Sequence, residues 1–128
     1  MPHLIVEYSS NLNHLIQVQD LVDALHAAAI DDGLAEMAAL RTRAVERAHY
    51  RIADGDPSHG FIAIIARVGP GRADDAKVKF LGRLLDEAEA FFAPQAGTVT
   101  IAFSAEIQEI HAPMRINRNH VKTKLANS

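Results

Sequence analysis

Cysteine is absent from this chain of 128 residues. That excludes disulfide bridges and thiol chemistry, and it fits a reducing cytoplasm. Long apolar runs are absent too. The longest, Phe61 to Ala66, is strand-sized, far short of the roughly 18 consecutive apolar residues that read as a membrane span. No basic run followed by an apolar stretch marks a targeting segment. An excess of positive charge is missing: 13 Lys and Arg stand against 16 Asp and Glu, a formal net charge of -3. That balance gives no reason to expect nucleic acid or an anionic membrane as a partner. Several catalytic signatures are lacking. Despite seven histidines, there is no His-Glu-x-x-His and no close His/Asp cluster for a metal. A Gly-x-Ser-x-Gly elbow is absent, as are Gly-x-Gly-x-x-Gly and Gly-x-x-x-x-Gly-Lys-Ser/Thr. The residues therefore predict neither a metal nor a dinucleotide.

What is present is ordinary globular composition, 48% apolar and 23% charged, at a length that predicts one domain over residues 1–128. Residues 3–8 read as a strand, followed by the polar turn Ser9-Ser10-Asn11. A helix fits 14–30, with Asn13 as N-cap and Gly33 placed to end it. Leu15, Val18, Leu21, Val22, Leu25 and Ala29 form its apolar face. From Leu40 to Ala53 the period becomes two, with Ala44, Ala48, Tyr50 and Ile52 opposite Arg41, Arg43, Arg47 and Arg51. Asp54-Gly55-Asp56-Pro57 is a turn.

The order then repeats. Residues 60–68 are a nearly all-apolar strand, predicted to be buried on both faces. A helix fits 74–92, with Val78, Leu81, Leu84, Leu85, Ala88 and Phe92 as its stripe. Thr98 to Ile107 is a fourth strand, and a short helix fits Asn119 to Leu125 in a polar tail that would pack on a neighbouring subunit. The fold class is thus α/β (α+β): two consecutive β-α-β units, about 1–58 and 59–128, in a four-stranded mixed sheet with two helices on one face. Each unit implies a parallel strand pair with a right-handed crossover. Two helices leave the other sheet face uncovered, which predicts oligomerisation.

The chain opens Met1-Pro2-His3-Leu4-Ile5-Val6. Removal of the initiator Met, expected before a small residue, would turn the Pro2 nitrogen from an amide into a secondary amine. A free α-amino group titrates at about 7.7–8.0, and nearby cations and desolvation both lower that value. An amine poised near neutrality suits proton transfer. Arg41 and Arg43, two apart on a strand, share a face and can hold carboxylates by forked hydrogen bonds. Arg72 follows Gly69-Pro70-Gly71 at a helix start, where backbone amides attract anions. His3 and His49 read as strand residues with satisfied hydrogen bonds, and Glu106 and Glu109 as a solvated strand end.

Met1 to Glu7, Leu40-Arg41-Thr42-Arg43, Ala53-Asp54-Gly55, Gly69-Pro70-Gly71-Arg72 and Phe103 to His111 resemble motifs of the tautomerase superfamily. The closer resemblance is to the 5-carboxymethyl-2-hydroxymuconate isomerase family, over nearly the whole chain. It implies a homotrimer whose sheets face a central core, with no cofactor and no metal. It implies Pro2 as the general base and Arg41 and Arg72 as substrate binders, with Arg43 binding substrate or bracing the site. The implied substrate is a dienol tricarboxylate of homoprotocatechuate (4-hydroxyphenylacetate) breakdown. The alternatives are a tautomerase of another keto acid, and a non-catalytic trimeric ligand-binding protein of the same fold; the expected partner is a small-molecule di- or tricarboxylate.

Overall fold

The computed structural model describes residues 2–128. Four strands, β1 (His3–Ser9), β2 (Arg41–Arg47), β3 (His59–Val68) and β4 (Thr100–Glu109), form one sheet in the order β2-β1-β3-β4. β1 pairs parallel with β2 and β3 parallel with β4, while β1 and β3 run antiparallel at the centre. Two long helices, α1 (Val18–Asp32) and α2 (Asp74–Phe92), provide the two crossovers, and α3 (His120–Ala126) lies in the tail. This is the predicted mixed sheet of two β-α-β units.

Strand alternation decides where the core lies. Leu4, Val6 and Tyr8 of β1 and Ile62, Ile64 and Ala66 of β3 are buried on the helix-bearing face. Leu21, Leu25 and Ala29 of α1 and Phe80, Leu84, Ala88 and Phe92 of α2 meet them. Each large apolar side chain fully buried here stabilises by roughly 1.5–3 kcal/mol. The opposite face carries Ile5, Phe61, Ala63 and Ile65, all half-buried. β3 is therefore buried on one face only within this chain, not on both.

The structure corrects several boundaries. α1 starts at Val18 because Ser10–His14 forms a 3-10 turn first. Asn13 is accordingly not its N-cap. It accepts from the Tyr8 hydroxyl at 3.0 Å and donates to Glu46 at 2.5 Å, tying β1 to β2. Gly33 does end α1, at φ 93°, the left-handed region that a side chain disfavours. β2 stops at Arg47, so Ala48, Tyr50, Arg51 and Ile52 lie in a loop and not on a strand. α2 spans the predicted residues, but Val78 is 67% exposed while Phe80 is fully buried. The tail is held on its own chain at two points: Asn119 donates to the Ala38 carbonyl at 2.8 Å, and Lys122 pairs with Glu36 at 3.1 Å.

Candidate active site

Pro2 is fully buried immediately before β1, and its carbonyl accepts from the Arg41 backbone N–H at 3.3 Å. That bond anchors the head of β1 to the head of β2. The fate of Met1 lies outside the described residues. Beside Pro2 the register lines up three strands: His3 stands opposite Arg41 on one side and Arg67 on the other. Directly paired residues point to one face, so the three form a row across the open side of the sheet. Arg43 stands one step further along β2 and shares that face.

The arginines surround His3. An Nη1 of Arg41 lies 3.4 Å from its Nε2, and an Nη1 of Arg43 lies 3.2 Å from its Nδ1. Burial first, then Arg43, Arg41, Arg115 and Arg67, pushes the His3 pKa down to about 4. The imidazole is therefore neutral near pH 7. Arg115 comes from the tail, and Asn117 there takes a long 3.5 Å contact from Arg41. Holding the tail on the 36–38 segment thus also brings it to this end of the sheet.

Arg72 lies at the same end, at the turn between β3 and α2, but it is oriented differently. Its guanidinium donates to the carbonyls of Gly69, at 3.2 Å, and Leu34, at 3.4 Å. With Lys79, Asp32, Leu34 and Ala76 it lines an open cleft of about 410 Å³. No hydrogen bond joins it to Arg41 or Arg43 among the described residues. Of the remaining candidates, His49 is exposed in the loop after β2. Glu109 pairs with Lys77 at 2.6 Å, and Glu106 is exposed on the open face. Arg67 and Arg115 were not singled out by the sequence. Arg67 did carry a signal, as the one charge within the apolar strand 60–68. Among the described residues, no three His, Asp or Glu side chains gather as a metal site requires, and no helix is long and apolar enough to cross a membrane.

Two β-α-β units sharing one sheet, with a proline at the head of the first strand and arginines at the same end, are the arrangement of a tautomerase-superfamily isomerase, the class to which its relatives assign this chain. The chain belongs to the 5-carboxymethyl-2-hydroxymuconate isomerase family, whose profile matches residues 2–125. It is 25% identical over 121 residues to the 5-carboxymethyl-2-hydroxymuconate Delta-isomerase of Escherichia coli, covering 94% of this chain and 96% of that protein. It is similar to the crystal structure of a 5-carboxymethyl-2-hydroxymuconate isomerase from Deinococcus radiodurans R1, with a TM-score of 0.86, 25% identity, and 97% and 93% of the two chains covered. The fold is also that of a wild-type fused 4-OT asymmetric trimer, at a TM-score of 0.69 and 19% identity, with 96% and 98% covered.

Proposed function

We propose that the Met-processed protein isomerises 5-carboxymethyl-2-hydroxymuconate to 5-carboxymethyl-2-oxo-3-hexenedioate, with Pro2 as general base. The observation that carries this reading is Pro2 at the head of β1, joined through its carbonyl to the Arg41 backbone and followed in the chain by His3 with its surrounding guanidiniums, in a chain of this family. The amine takes the proton of the 2-hydroxyl. The O–H electron pair becomes the second bond of C2=O, the C2=C3 pair moves to C3=C4, and the C4=C5 pair takes a proton at C5. One proton leaves oxygen and one arrives at carbon, so the reaction needs no external acid or oxidant. Burial and nearby cations both favour the neutral amine that must accept the proton.

Arg41 binds carboxylate at the reacting end, where positive charge also stabilises the dienolate as it develops, and Arg43 binds substrate next to it. Arg72 serves a carboxylate from the adjoining cleft, with its guanidinium turning away from the two carbonyls it now holds. Assembly as a homotrimer accompanies this reading. The half-buried Ile5, Phe61, Ala63 and Ile65 need a cover that two helices on the opposite face cannot supply.

The test joins a mass to a rate. Intact-mass spectrometry is expected to show loss of Met1, and the processed protein is expected to ketonise the tricarboxylate much faster than 2-hydroxymuconate. Retention of Met1 in an active protein would remove Pro2 from the mechanism. Comparable slow rates on both compounds would point to another keto acid, and no rate on either to a binding role.

A further inference from the structure

His3 stands in an arrangement that its own chain leaves unresolved. A guanidinium only donates, and a neutral imidazole has one acceptor nitrogen and one N–H. Arg41 and Arg43 face its two ring nitrogens. One of the two pairings must therefore set donor against donor, whichever tautomer is present. Protonation would make both unfavourable. The carboxylates on this face do not relieve it. Glu7, on the same face, is ion-paired with Arg47. Glu106 is diagonal to Arg67 across the β3–β4 register and makes no ion pair among the described residues. Arg41, Arg43 and Arg67 likewise have no carboxylate within salt-bridge distance among the described residues.

We propose that His3, Arg43 and Arg67 form a subsite for a further carboxylate of the substrate on the open sheet face, and that Arg67 sets the preference for a tricarboxylate over a dicarboxylate. A bound carboxylate resolves the conflict. Nε2 of His3 accepts from Arg41, Nδ1–H donates to the carboxylate, and its two oxygens have lone pairs left for Arg43 and Arg67. His3 then acts as an adaptor between the arginine at the reacting end and the distal anion. The proposal rests on the reading that the reacting end of the substrate lies at Pro2.

Binding without turnover tests it. Propane-1,2,3-tricarboxylate and glutarate are titrated into the Met-processed protein, with affinities read by calorimetry and the His3 ring by its imidazole ¹⁵N signals. The wild type is expected to prefer the tricarboxylate, whose binding moves the His3 signals. Arg67→Gln is expected to shrink that preference at least tenfold. Arg67→Lys, which keeps the charge but loses the fork, is expected to fall between. An unchanged preference in a folded Arg67→Gln, or His3 signals that stay still at saturation, overturns the subsite. If Arg67→Gln does not fold, the Arg67→Lys preference decides, and equality with wild type overturns the subsite. A protein that selects the tricarboxylate but does not isomerise refutes the proposed reaction and leaves the subsite standing. One that isomerises with the same preference after Arg67→Gln does the reverse.

Discussion

His3 gives the residue scale its sharpest expectation. Its pKa is held at about 4, chiefly by burial and then by Arg43, Arg41, Arg115 and Arg67, against about 6.5 for an unperturbed imidazole. Between those two values the unfolded chain binds the extra proton and the folded chain does not. Stability is therefore undiminished above pH 6.5 and falls as pH drops toward 4. An NMR titration of the His3 ring is expected to give a midpoint near the lower value. Bound tricarboxylate is expected to raise it, because a nearby anion favours the charged ring. A midpoint at the ordinary value would mean that neither the burial nor the arginine surroundings of His3 hold in solution. Pro2→Ala keeps an amine but changes its geometry and substitution. Turnover is expected to fall strongly with assembly intact, and equal turnover would remove proline from the mechanism. Arg72 separates two roles. As a substrate ligand its loss in Arg72→Ala lowers kcat/KM by roughly 2–4 kcal/mol of transition-state binding. As a brace between Gly69 and Leu34 its loss lowers the melting temperature and leaves kcat/KM alone.

At the scale of elements, local pattern was readable and long-range register was not. The bounds of α2, Asp74–Phe92, follow from its periodicity and acidic first turn. Which side of it faces the sheet does not: a stripe through Val78 and one through Phe80 and Leu84 differ by a modest rotation, and only packing chooses. Pro2, Arg41 and Arg43 were legible because each lies near a short motif. Arg67 reaches the same place only through the antiparallel β1–β3 register, and Arg115 only through the tail docked on Ala38 and Glu36. Neither register nor docking is written locally. Ser9 is a further case. It reads as part of a polar turn, yet it is fully buried, and its Oγ accepts from the Phe61 N–H at 2.9 Å. It thereby sets where β3 begins against β1. Ser9→Ala leaves that N–H without an acceptor and is expected to destabilise by about 1–3 kcal/mol, read from the denaturant midpoint. A variant within a few tenths of a kcal/mol of wild type would show that water or a backbone shift replaces the hydroxyl.

For the whole molecule the governing fact is asymmetry between the two faces of one sheet. The helix side buries Leu4, Val6, Ile62 and Ile64 completely, while Ile5, Phe61, Ala63 and Ile65 on the other side remain half-buried. The sheet also ends on β4, ten residues long, with one side unpaired. A long edge beside an apolar face is an invitation to associate, and natural proteins either blunt or use it. Here the arginines on that face gather at the end near His3, Arg47 and Glu7 pair with each other further along, and Glu106 stands on the β4 edge opposite Ile65. On the central strands β1 and β3 the middle of the face, Ile5, Ala63 and Ile65, is left for packing. Light scattering is accordingly expected to give three times the chain mass for the wild type. Ile65→Gln places an amide in the middle of the face, next to Ile5 across the register, where burial without a partner is penalised. It is expected to lower the mass at low concentration while the helical circular dichroism persists, because the core on the helix side is untouched. A wild-type mass of one chain would sink the trimer. A mass unmoved by Ile65→Gln would place the contact between copies elsewhere, with the β4 edge the next surface to alter.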